Sequence, residues 1–196
     1  VQIGAYRLGE RIASGRLAQV YRGSDRAGRP VAVKLLSPEA ELDDPAARDR
    51  FVREIDMLSR VRHPNVIALL GHGIDDELGP YLVTPLVFGT TLRAHIARGA
   101  ALPEVALLGL REVAAGIAAM HAVGVVHRDL KPENIMIQAD GHIVVIDLGL
   151  AYRQNQTRYT EEGAVADSVP YMAPEQIEAA TISPATDVWA LGVILY

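Results

Sequence analysis

Apolar and polar positions alternate along the first forty residues. YRLGERIAS (6–14) and AQVYRGSD (18–25) carry the two-residue period of half-buried strands, with a glycine-containing turn between them. RPVAVKLL (29–36) reads as a third strand. The period then lengthens: Pro45 opens a helical stretch in which Phe51, Ile55, Leu58 and Val61 recur at helical spacing, and His63-Pro64-Asn65 stops it. NVIALLGHG (65–73) and PYLVTPLV (80–87) read as two further strands joined by the polar turn DDELG. One helix against an antiparallel sheet makes a small α+β unit.

After FGTTL (88–92) the pattern turns helical. TLRAHIARG (91–99) is short, and LPEVALLGLREVAAGIAAMHAVG (102–124) is long, with Pro103 in its first turn and Gly124 as its stop. IMIQADGHIVVID (135–147) predicts a hairpin turning at Asp140-Gly141. Residues 150–172 are polar and aperiodic, so a loop is expected, and TDVWALGVILY (186–196) is an apolar helix with Trp189 in its core. The change of character near residues 86–90 is the natural boundary between two parts.

Composition narrows the class. Of 196 residues, 49% are hydrophobic and 22% charged, the balance of a globular chain rather than a disordered one. A net charge of −5 without a basic cluster argues against nucleic acid as a partner. There are no cysteines, which excludes a disulfide scaffold or thiolate metal site and fits a reducing compartment, taken as the cytoplasm. The N-terminus lacks the basic and apolar regions of a signal peptide. The longest apolar stretch, 105–126, is interrupted by Arg111, Glu112 and His121, so it is expected as a buried helix and not a membrane segment. His63, His72, His95, His121 and His142 show no paired metal spacing and read as surface or core residues.

Against this background VVHRDLKPENIMI (125–137) is a polar island between two apolar runs. Charges held between buried segments are costly unless paired or used. Further signals fall in order around it: IASGRLAQV (12–20), VAVK (31–34), Glu54 on the apolar face of its helix, DLG (147–149) and APE (173–175). Glu54 needs a cation in such a place, and Lys34 is the economical partner.

In order and spacing these motifs resemble the eukaryotic-type (Hanks-type) protein kinase family, and more closely its bacterial serine/threonine members, from about residue 5 to residue 196. The resemblance implies a two-lobed α+β fold. Residues 1–87 would form a nucleotide-binding N-lobe, a small antiparallel sheet with one helix. Residues 88–196 would form a mainly helical C-lobe, incomplete after the start of its central helix, so that the chain reads as a fragment of a longer protein. It also implies ATP and Mg2+ as cofactors, protein substrates bearing serine or threonine, and self-association for autophosphorylation.

Residue by residue, the resemblance makes Asp129 the catalytic base and lets Lys131 meet the transferring phosphoryl group, while Asn134 and Asp147 hold magnesium. Lys34 contacts the phosphates and pairs with Glu54. Val20 and Ala32 sandwich adenine above Met136, and Pro85 and Val87 offer hinge backbone groups. Thr84 stands at the gatekeeper position, and Ser168 is placed to hydrogen-bond Asp129 and Lys131. His127, Glu175 and Asp187 read as structural, and Glu133 has no assignable role.

The phosphate-binding loop departs from the family pattern G-x-G-x-x-G. It runs Ile12, Ala13, Ser14, Gly15, Arg16, Leu17, Ala18, with one glycine in place of three, which stiffens it and suggests weaker nucleotide handling. Leu148 replaces the commoner phenylalanine, a conservative packing change. Among Thr157, Tyr159, Thr160 and Ser168, Thr160 sits where an activating phosphate is expected, to be read by Arg128. The other function classes are a catalytically weak or inactive pseudokinase fragment acting as a binding or scaffolding module, and a small-molecule kinase. Intact chemical positions weigh against the first, and APE with its docking loop against the second.

Overall fold

The computed structural model describes residues 1–15, 17–99, 103–147 and 168–196, with the backbone alone for 103–108. Leu148, Thr157, Tyr159, Thr160 and Arg16 lie outside the described residues. The chain divides into two compact units, residues 1–60 with 68–86, and residues 61–67 with 87–196.

The first unit is a six-stranded sheet: β1 (Gln2–Ile3), β2 (Tyr6–Ser14), β3 (Ala18–Ser24), β4 (Pro30–Leu36), β5 (Gly71–Asp75) and β6 (Gly79–Pro85). Its order is β1-β2-β3-β4-β6-β5, and every pairing is antiparallel. Alternation along β4 sends Val31, Val33 and Leu35 to one face, where they bury with Ile3, Tyr81 and Val83. Two helices follow β4, α1 (Pro38–Asp43) and α2 (Ala47–Arg60). The periodic residues Phe51, Ile55 and Leu58 of α2 are all buried, as the helical spacing expects.

The second unit contains β7 (Gly89–Thr91), α3 (Leu92–Ala97), α4 (Pro103–Ala122), β8 (Ile135–Gln138), β9 (Ile143–Val145), α5 (Pro174–Ile177) and α6 (Pro184–Leu195). Strands β7, β8 and β9 form a second antiparallel sheet. A Cβ at Gly89 would collide with the Ile137 carbonyl, so only glycine lets β7 lie this close to β8. Among the described residues no helix is long and apolar enough to cross a membrane.

Two sequence expectations need correction. NVIALLGHG is not one strand. Val66 forms an isolated bridge to Val145, Ile67 N–H donates to the Val145 carbonyl at 2.9 Å, and only Gly71–Asp75 pairs with β6. Residues 61–67 therefore belong to the second unit, which a single boundary near residue 87 does not describe. Asn65 anchors them: its side-chain amide donates to Glu112 of α4 at 2.9 Å and to the Ile143 carbonyl at 2.7 Å. Trp189 is not core but 48% exposed, because α6 buries Thr186, Asp187 and Ala190 instead.

Candidate active site

In the first unit the strand register gathers the nucleotide-side candidates. Ala13 pairs with Val20, Val20 with Lys34, and Ala32 with Thr84. Directly paired residues share a face, so Ala13, Val20, Ala32, Lys34 and Thr84 line the face opposite Val31, Val33 and Leu35. Ser14, paired with Gln19, falls on the alternate face. The turn beyond it closes through Gly15 N–H donating to the Ala18 carbonyl at 2.9 Å. Ile12 is exposed.

Lys34 Nζ lies 2.6 Å from Glu54 Oε1, whose side chain is only 3% exposed. The apolar stripe of α2 thus carries its carboxylate to Lys34 on β4, which neutralises it. Pro85 ends β6 and has no N–H to offer. Its carbonyl accepts a long bond from the Thr84 hydroxyl at 3.4 Å and keeps a second lone pair.

The second unit holds the polar island. His127 to Leu130 follow α4 without regular structure, and Pro132–Asn134 form a 3-10 turn leading into β8. Lys131 Nζ is 3.1 Å from Asp129 Oδ2 and donates to Ser168 Oγ at 2.7 Å, so the lysine joins the two groups expected beside the substrate hydroxyl. Asn134 Nδ2 donates to the Asp129 carbonyl at 2.8 Å, which fixes the asparagine and turns its oxygen away from the loop backbone. Ile146 N–H donates to the Asn134 carbonyl at 2.9 Å. Asn134 and Asp147 therefore stand at the same end of the β8–β9 hairpin. Val87 and Met136 also belong to this unit, Met136 pairing with Val144.

Asp187 organises the loop from beneath. Only 1% exposed, it accepts the His127 N–H at 2.9 Å on Oδ2 and the Arg128 N–H at 2.9 Å on Oδ1. Arg128 sits at φ 72°, a left-handed conformation unusual outside glycine that these bonds stabilise. His121 Nε2 completes the cluster at 2.6 Å from Asp187 Oδ2. Scattered in sequence, His121 was expected as an ordinary core or surface residue. What betrays it is its place near the end of α4, just before the island.

His127 itself is fully buried. Loss of hydration pushes its imidazole below the ordinary value, outweighing the carboxylates of Asp187, Asp129 and Asp147, so the ring is neutral. Its Nδ1 accepts the Asp129 N–H at 3.3 Å. Glu175 accepts the Thr186 hydroxyl at 2.6 Å, and that bond holds its carboxyl below the usual range. Gln176, which the sequence reading passed over, donates to the Arg128 carbonyl at 2.7 Å.

Lys34 paired to a helix glutamate in one unit, and Asp129, Lys131 and Asn134 on a buttressed loop in the other, are the residue types and order that the protein kinase resemblance expects. The chain belongs to the protein kinase domain family, whose model matches residues 6–196. It is 37% identical over 193 residues to the serine/threonine-protein kinase PknL of Mycobacterium tuberculosis, covering 97% of this chain and 48% of PknL. To the serine/threonine-protein kinase PrkC of Bacillus subtilis it is 35% identical over 195 residues, covering 98% and 30%. The chain thus spans less than half the length of these curated relatives. The kinase domain of Mycobacterium tuberculosis PknI, solved by crystallography, matches with a TM-score of 0.77 at 24% identity, over 100% of this chain and 74% of that one. That likeness gives the protein kinase fold.

Proposed function

We propose that this chain transfers the γ-phosphoryl group of ATP to serine and threonine hydroxyls of protein substrates. The observation that carries the proposal is the Asp129–Lys131–Ser168 cluster, with Lys131 bridging carboxylate and hydroxyl at 3.1 and 2.7 Å. Asp129 orients the incoming hydroxyl and accepts its proton as the oxygen attacks phosphorus. Lys131 offsets charge on the phosphoryl oxygens. Lys34, held by Glu54, meets the ATP phosphates, and the small apolar residues Val20 and Ala32 on the same sheet face suit a flat purine.

The donor set fits magnesium. Asn134 brings an amide oxygen and Asp147 a carboxylate, hard ligands of which that ion needs only one or two besides phosphate and water. When bound with ATP, magnesium neutralises phosphate charge. The Ser/Thr preference rests on Lys131-Pro132 after Asp129, the pair by which the resemblance separates this class from tyrosine kinases, with Lys131 bonded to both Asp129 and Ser168. PknL and PrkC are both named serine/threonine-protein kinases, which agrees with this reading. Labelled ATP and magnesium with a protein substrate, followed by phosphoamino-acid analysis, test it. Phosphoserine or phosphothreonine is expected; label confined to tyrosine or to small molecules would overturn the proposal.

A further inference from the structure

Arg93 lies in the first turn of α3, forty residues before Glu133 and far in sequence from Tyr171, yet it joins both. Its Nε donates to Glu133 Oε1 at 2.5 Å and its Nη2 to the Tyr171 hydroxyl at 3.0 Å. The guanidinium also stands 5.9 Å from the centre of the Tyr171 ring. Glu133 belongs to the 3-10 turn that carries Asn134, and its other oxygen is buried without a hydrogen-bond partner among the described residues. That carboxylate, without a role in the sequence, therefore has Arg93 as its counter-charge.

We propose that Arg93 is a positioning residue that fixes the segment Ser168–Tyr171 against the catalytic loop and thereby sets affinity for the protein substrate. The proposal rests on the phosphotransfer reading above. Among the described residues three hydrogen-bonded connections tie the segment 168–176 to the loop 128–133. Ser168 is bound by Lys131 and Gln176 by the Arg128 carbonyl, and between them Tyr171 is bound to Glu133 only through Arg93. The pair is partly exposed, at 46% and 32%, so its charge attraction is screened. What the bridge supplies is geometry: a planar fork reaches two partners in fixed directions, and an ammonium does not. A substrate hydroxyl approaching Asp129 passes beside Ser168, so loosening this segment weakens substrate binding more than it slows the chemistry.

The test uses Arg93→Ala, Arg93→Lys and Tyr171→Phe in the full chain, with a serine-centred peptide selected from a degenerate library by wild type. Arg93→Ala should raise the peptide KM about fivefold, with kcat within about twofold, the scale of one or two lost hydrogen bonds. Arg93→Lys should recover only part of it. Tyr171→Phe added to Arg93→Ala should have no further effect. Hydrogen exchange supplies a readout independent of activity. The Tyr171 and Met172 amides, bonded to the Ser168 and Val169 carbonyls at 3.0 and 3.2 Å, should exchange faster in Arg93→Ala while those of α4 do not. Unchanged exchange at these amides, or an unchanged peptide KM, would overturn the proposal, as would full recovery by lysine. Absence of transfer by wild type would overturn the phosphotransfer reading, and the exchange rates would then decide the structural role of Arg93.

Discussion

Replacing Asp187 by asparagine removes a charge and little else, since the two side chains have the same shape. The native carboxylate accepts on both oxygens, from His127 N–H and Arg128 N–H, each at 2.9 Å. Whichever way the amide turns, its NH2 faces one of these donors. With the NH2 on the Oδ1 side, away from His127 and His121, one charge-assisted bond is lost and the partly buried Arg128 N–H is left unsatisfied, together about 2–4 kcal/mol. The left-handed backbone at Arg128, φ 72°, adds to the cost because the bond to its N–H helps hold it. For a chain of this size each kcal/mol lowers Tm by about 2–4 °C, so a drop of roughly 5–15 °C is expected. Scanning calorimetry measures it, and hydrogen exchange at residues 127–130 shows whether the loop is what loosens. A Tm within about 2 °C of wild type, with unchanged exchange there, would refute the claim that Asp187 holds the catalytic loop; the margin is under one kcal/mol on the same scale.

Three further outcomes are expected. Lys34→Met leaves Glu54 as a buried carboxylate without its lysine; transfer should fall at least about a hundredfold, and a loss under tenfold in steady-state kinetics would remove Lys34 from the mechanism. His127 is buried and held below its ordinary value of 6.5, so the folded protein binds fewer protons than the unfolded chain as pH falls past that value. Its contribution is complete above about pH 6.5 and is lost towards the lowered folded value, at up to about 1.4 kcal/mol per pH unit; denaturant titrations from about pH 7.5 to 5.5 should show this slope in wild type and less of it in His127→Leu. Thr160, outside the described residues, is expected to carry a phosphate after incubation with ATP, with partial loss of activity in Thr160→Ala; mass spectrometry showing none between residues 150 and 165 of fully active protein would refute it.

The strands of the first unit were legible because alternation there is set by one buried face: Val31, Val33 and Leu35 point inward while Ala32 and Lys34 do not. The Lys34–Glu54 pair was legible for the opposite reason, a charge where the pattern demanded an apolar residue. Residues 65–70 misled, since Val66 and Ile67 are apolar for packing in the second unit and not for pairing with β6. The short strands Gln2–Ile3 and Gly89–Thr91 carry too few residues to show a period. The proposed catalytic positions stood out as a cluster of polar types, whereas the residues that support them did not. His121, Gln176, Arg93 and Asn65 act through partners between 40 and 78 residues away, and nothing in their local sequence marks those contacts.

Initial rates of labelled phosphate transfer to a protein substrate, compared between wild type and Asp129→Asn at matched folding, bear most directly on the assignment of Asp129 as the base. Asparagine keeps the shape and the place beside Lys131 but cannot accept the hydroxyl proton, so a loss of at least about a hundredfold is expected. Comparable rates in the two proteins would contradict it.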